Sequence, residues 1–193
     1  RGLDQCGEQA LAEDVEVGHR VAGAVEAVVD AAVVGGQADA QRLAGYVIRD
    51  LGLDAKRFPP RGVHGQISIW KNELVTPAQA LVKADNPFTR KHAEVYVDYQ
   101  ARLGKAGAMD FDDLLISAAQ CVRDDGGAAR LQLDRNDSIA IRDIRWILID
   151  EFQDFSELYY RLIKAMLDVN PSIRVVCVGD DWQAINGFAG AQL

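Results

Sequence analysis

The chain has 193 residues, 49% hydrophobic and 26% charged, which is enough to bury one sizeable core, or one core plus a small satellite, and is ordinary for a soluble α/β protein. Its net charge of −8 argues against a free-standing nucleic-acid-binding module, whose surface is usually basic, but allows a local basic groove. No apolar run approaches the roughly 20 residues that cross a bilayer, and no basic-then-apolar leader opens the chain, so no membrane partner is expected. Cys6, Cys121 and Cys177 are scattered and odd in number, so a reducing compartment is expected, with neither a disulfide framework nor a zinc site. His19, His64 and His92 share no ligand spacing and read as surface or satisfied core side chains.

In chain order, the first forty residues are dominated by Ala, Val, Gly and acids, and either helix or strand fits Val21 to Val34. Helices follow. One runs from Ala40 to Leu51 and is stopped by Gly52. The next runs from Gly62 to Leu74, with Ile67, Trp70 and Leu74 on one face. Thr76-Pro77 reads as an N-cap and N1 proline opening Ala78 to Lys83. Pro87 opens a longer helix to Leu103, striped by Phe88, Val95, Tyr99 and Leu103 and ended by Gly104 and Gly107. Asp110 caps a helix from Phe111 to about Arg123, with Leu114, Leu115, Ala118 and Val122 inward. The acids of Asp110-Phe111-Asp112-Asp113 could do chemistry, but first-turn acids are stabilised by the helix dipole, and the structural role is the expected one.

Trp146-Ile147-Leu148-Ile149 is an apolar run too short and too β-branched for a helix, and it reads as a buried strand of a parallel sheet. Asp150 and Glu151 follow at its carboxyl end, where open α/β sheets place their ligands. Two charges there are costly unless they are used. In P-loop nucleotide hydrolases the first carboxylate holds Mg²⁺ and the second orients or deprotonates the attacking water. The alternative is a strand end whose acids merely help start the next helix. Ser156 to Asn170 reads as that helix, with Ser156 as N-cap, Leu158, Leu162, Ile163, Met166 and Leu167 at helical spacing, and Pro171 as its stop. A second strand, Ile173 to Val178, completes a βαβ unit, so both strand ends carry polar groups on one rim.

Ile149-Asp150-Glu151-Phe152-Gln153-Asp154 and Val178-Gly179-Asp180-Asp181-Trp182-Gln183-Ala184-Ile185 resemble the second and third motifs of UvrD/Rep-type superfamily 1 DNA helicases. Trp182 and Phe188-Ala189-Gly190 resemble the helicase IV branch most, and Met109-Asp110-Phe111-Asp112-Asp113-Leu114-Leu115 resembles the short motif before the Walker B strand. The resemblance implies ATP and Mg²⁺ as cofactors and DNA, single-stranded and duplex, as partner. It implies Asp150 as the Mg²⁺ carboxylate, Glu151 as catalytic base and Gln183 as γ-phosphate sensor coupled to the DNA track. Gln153, Gly179, Asp180 and Asp181 would lie at the nucleotide. Phe188 would stack on a base, worth roughly 1–3 kcal/mol without sequence preference, with Asn186 beside it where many relatives carry a tyrosine. Arg57, Arg61 and Lys71 in the helical region become candidate DNA phosphate contacts; Lys56, Arg90 and Lys91 are further basic residues nearby, and a solvated charged face is the alternative for each cluster.

The implied architecture is α/β: part of a RecA-like P-loop NTPase parallel sheet (134–193) with an inserted all-helical subdomain (41–133), preceded by a lead-in (1–40) without a family motif. That lead-in reads either as non-native sequence from a shifted or mis-joined start or as a divergent amphipathic segment. A Gly-x-x-x-x-Gly-Lys-Ser/Thr loop is absent; Gly104-Lys105 is followed by Ala106. Without the loop there is no amide cradle and no lysine for the phosphates. The sequence also stops at Leu193, directly after the third motif, so the family's second motor domain with its arginine finger would lie beyond it. The expectation is half of one ATP site, in a fragment of a cytoplasmic, nucleoid-associated helicase that hydrolyses ATP poorly or not at all by itself. The missing motor parts, or other repair and replication proteins, would be further partners. The alternative function is a non-catalytic DNA-binding or protein-interaction remnant of a helicase.

Overall fold

The structure is a computed structural model that describes residues 32–33, 36–132 and 138–180. Its elements are β1 (Ala32–Val33), α1 (Gly36–Asp50), α2 (Pro60–Asn72), α3 (Pro77–Lys83), α4 (Pro87–Lys105), β2 (Ala108–Met109), α5 (Phe111–Asp124), β3 (Arg130–Gln132), β4 (Ser138–Ala140), β5 (Trp146–Ile149), α6 (Glu157–Val169) and β6 (Arg174–Cys177). Short polar side chains cap the starts of α3 to α6, while α2 opens at Pro59-Pro60 with no side-chain cap. Thr76 and Gln79 form a reciprocal capping box at α3, and Asp110 and Asp113 form another at α5. Asn86 accepts the Thr89 N–H at 2.8 Å ahead of Pro87. Gly52, at φ +66°, turns the chain out of α1.

The helices α1 to α4 enclose one core, with Val47, Ile48, Val63, Ile67, Val95, Tyr99 and Leu103 almost fully buried. Burying each such side chain contributes about 1.5–3 kcal/mol. Two stripe positions depart from expectation. Leu74 lies past the end of α2, at φ 56°, and is exposed. Phe88 is half exposed, in the first turn of α4, where its ring stacks on Phe58 at 5.0 Å.

A second core joins Val122, Ile141, Ala165, Met166 and Ile173, with Ile147 and Leu162 packed against it. It places α5 against α6 and α6 against the parallel β5–β6 pair, whose register aligns Trp146 with Arg174 and Ile149 with Cys177. Among the described residues the sheets are all two-stranded: β1–β2 parallel, β3–β4 antiparallel and β5–β6 parallel. The fold is thus mixed helix and strand. The strands expected to be buried on both faces are not: Trp146 is 54% and Leu148 76% exposed, and all of β6 is exposed. Alternation accounts for β5, where Ile147 and Ile149 face the covered side and Trp146 and Leu148 the other, but not for β6, which is exposed at every position.

Candidate functional site

The parallel β5–β6 pair brings two polar strand ends to one rim. Val178 N–H donates to Ile149 O at 2.7 Å, and Phe152 N–H donates to Val178 O at 3.0 Å, so the chain folds back over the end of β6. That reversal puts Glu151 in the left-handed region, at φ 53° and ψ 44°. A non-glycine residue held there stores about 1 kcal/mol or more and needs surrounding contacts to keep it.

Those contacts are visible. Asp150 Oδ1 accepts the Glu151 N–H at 2.9 Å, and Asp154 N–H donates to Glu151 O at 2.9 Å. Gln153 is buried and spans the rim: its Nε2 donates to the Glu151 carboxylate, and its Oε1 accepts the Asp180 N–H at 3.0 Å. Gly179 makes this fit possible. A Cβ at that position would stand 2.8 Å from Gln153 Oε1, 3.0 Å from Phe152 Cβ and 3.1 Å from Phe152 N. The carboxylates of Asp150 and Glu151 themselves are exposed.

Among the described residues no three metal-ligating side chains converge. The rim suits a cation that needs fewer. Mg²⁺ keeps several waters and is commonly held by one or two carboxylates plus substrate phosphates, which an exposed Asp150 at a strand end fits. The structure thus brings Asp150, Glu151, Gln153, Gly179 and Asp180 together. Asp181, Gln183, Asn186 and Phe188 lie outside the described residues.

Of the basic candidates, Lys56, Arg57 and Arg61 are exposed and form no ion pair among the described residues. Arg90 and Lys91 are shared with Glu94, at 3.9 and 2.6 Å. Lys71 corrects the sequence reading: it is 2% exposed, and its Nζ lies 2.7 Å from Asp110 Oδ2 and 2.8 Å from Asp113 Oδ1. Its ammonium is turned into the protein between α2 and α5, away from any phosphate at the surface. Tyr99 O–H donates to the same Asp110 oxygen at 2.9 Å, and Gln100 Nε2 donates to Asp113 Oδ2 at 3.0 Å. Burial alone would raise the Asp110 carboxyl; the Lys71 ammonium and its hydrogen bond outweigh it and hold that carboxyl below the usual range. Asp112 has no ion pair with Lys71, and burial pushes it up to about 6 against a hydrogen bond from Ser68 and the weaker pull of the Lys71 charge. The Asp110–Asp113 acids are therefore cap and counter-ion, the structural role.

Two features gave no functional signal in the sequence. Asn170, at the end of α6, donates to three carbonyls, Ile141 O at 3.0 Å, Arg142 O at 3.1 Å and Ile144 O at 2.9 Å. It ties the entry to β5 to the exit of α6. Aromatic rings also run in a row away from the rim: Phe152 to Phe155 at 5.1 Å, Phe155 to Tyr159 at 5.6 Å and Tyr159 to Phe111 at 6.0 Å. The spacing of 152, 155 and 159 was readable as one face of a turn and helix; the partner Phe111 was not.

Residues 30–193 match the family described as UvrD/REP helicase N-terminal domain. Over 163 residues the chain is 37% identical to "ATP-dependent DNA helicase UvrD1" of Mycobacterium tuberculosis (strain ATCC 25618 / H37Rv), an overlap covering 80% of this chain and 20% of that protein. It is 33% identical over 148 residues to "ATP-dependent DNA helicase PcrA" of Leuconostoc citreum, 76% of this chain and 18% of the relative. The PcrA of Staphylococcus aureus (strain NCTC 8325 / PS 47) is 33% identical over 147 residues, 76% of this chain and 19% of the relative. The chain spans about a fifth of the length of these curated relatives.

Proposed function

The chain belongs to the UvrD/Rep helicase family, and from that premise we propose that its β5–β6 rim is the carboxylate half of an ATP site in a DNA helicase. The observation that carries the reading is the Gln153 tie. It joins the Glu151 carboxylate to the backbone that follows β6, so a change at one strand end is felt at the other. That is the linkage a nucleotide-driven motor needs between hydrolysis and its DNA track.

Asp150 would hold Mg²⁺, which supplies charge neutralisation at the transferred phosphoryl group. Glu151, fixed by its left-handed backbone and by Gln153, orients the attacking water and takes its proton. Gln183 senses the γ-phosphate, Gly179, Asp180 and Asp181 approach the nucleotide, and Phe188, with Asn186, stacks against a base of single-stranded DNA. Arg57 and Arg61, exposed and without ion pairs among the described residues, are the phosphate contacts for duplex DNA. β5 and β6 are two strands of a RecA-like sheet, and residues 41–133 its helical insert. The apolar Trp146 and Leu148 on the uncovered face support this, because a strand of such a sheet is normally covered on both sides.

These 193 residues hold no phosphate loop, so by themselves they turn ATP over slowly or not at all. Work in the full-length protein is DNA-stimulated ATP hydrolysis and strand separation, in the cytoplasm at the nucleoid, alongside other repair or replication proteins. Two assays test the reading. Full-length protein should hydrolyse ATP in a Mg²⁺- and DNA-dependent way, while the purified chain should not. Full-length protein that binds DNA without any nucleotide turnover would instead support a non-catalytic DNA-binding remnant.

A further inference from the structure

We propose that Phe111 and Tyr159 are positioning residues for the Glu151 carboxylate, acting through the row of rings that ends beside it. The proposal rests on the ATP-site reading above. Glu151 occupies a strained backbone conformation, so something must over-determine it. Its own hydrogen bonds fix the rim side of the turn. The opposite side is fixed by Phe152, the next residue, whose ring stacks on Phe155, which stacks on Tyr159 in the first turn of α6. Tyr159 in turn meets Phe111, the first residue of α5. Each such ring pair adds about 0.5–1.5 kcal/mol beyond its buried area.

Phe111 is itself anchored. It follows Asp110, which is held by Lys71 of α2 at 2.7 Å and by Tyr99 of α4 at 2.9 Å. Phe111 is nevertheless 56% exposed and Phe152 39% exposed. Exposure of that size is poor use of two large rings if packing were their purpose. It fits a row that bridges the helical lobe to the rim over the surface between them. A shift of the lobe therefore reaches Glu151 along these rings, beside the direct packing of α5 on α6.

The test uses full-length protein and ATP turnover in saturating DNA. Tyr159→Leu and Phe111→Leu keep apolar bulk but break the row, and each should lower kcat about tenfold at unchanged KM for ATP, since small misplacements of a catalytic group act on kcat. Tyr159→Phe keeps the ring and should restore wild-type kcat. The double leucine variant should fall no further than either single one, because both act on one route. Leucine variants with kcat within about twofold of wild type, beside an inactive Glu151→Gln control, would overturn the positioning role alone. An unchanged Glu151→Gln control would overturn the ATP-site reading and the role with it. If Tyr159→Leu does not fold, the exposed Phe111→Leu decides the question.

Discussion

Lys71→Met asks most sharply whether the helical lobe is held to α5 by charge. Methionine keeps the length and apolar stem of lysine and removes only the ammonium. The Lys71 side chain is 1% exposed and that of Asp110 4%, so solvent does not screen the pair. In the variant Asp110 Oδ2 keeps only the Tyr99 hydroxyl, and Asp113 keeps Gln100. Removing one partner of a buried pair leaves uncompensated charge and costs about 3–5 kcal/mol. For a chain of this size that is a fall in Tm of roughly 6–20 °C. The pH dependence is the more telling part. In the wild-type protein the Asp110 carboxyl lies below 3.8, so its contribution is present above that value and is lost only as pH falls through the lower, folded value. Without the ammonium, burial raises the stranded Asp110 carboxyl, and the variant gains stability as pH falls and it protonates. The gap between variant and wild type should therefore narrow from pH 7 to about pH 5 in thermal melts followed by circular dichroism. A loss under about 1 kcal/mol, or a gap that does not change with pH, would refute the buried counter-ion role and reopen Lys71 as a surface contact.

Other outcomes follow from the same geometry. Asn170→Ala takes the amide donor from three carbonyls, of which Ile141 O keeps the Ile144 N–H, and should destabilise the β5–α6–β6 unit by about 2–3 kcal/mol, measured by urea unfolding of the purified chain. An effect no larger than a surface substitution would mean those carbonyls find water. Gly179→Ala forces Gln153 off Asp180 and crowds the Phe152 backbone, and in the full-length protein it should cut ATP turnover about tenfold or more. Wild-type turnover in that variant would show that the tie is dispensable.

The helices were legible because their punctuation is local. Thr76-Pro77, Pro87 and Asp110 each mark a helix start in the sequence, and the structure starts helices there. The strands β5 and β6 and their parallel pairing were legible from the apolar runs and the helix between them. Lys71 was misread because a charge in sequence gives no sign of its partner thirty-nine positions away. The burial of Trp146 and Leu148 was misread because an apolar run shows that a strand favours cover, not which face receives it. At the rim, Asp150 and Glu151 could be located from their position after a strand. The left-handed turn at Glu151 and the close approach at Gly179 could not, because both arise only when the two strand ends meet.

The central claim is that Glu151 is the base of an ATP site whose carboxylates are placed by the β5–β6 rim. The most direct measurement is single-turnover ATP hydrolysis by the full-length protein with and without Glu151→Gln, with nucleotide affinity measured on the same samples. Glutamine is close to glutamate in shape and takes no proton from water at neutral pH. The account predicts nucleotide binding close to wild type and hydrolysis slowed by about 10²–10⁴. Hydrolysis at the wild-type rate with intact binding would contradict it and return Glu151 to a structural role at the end of β5.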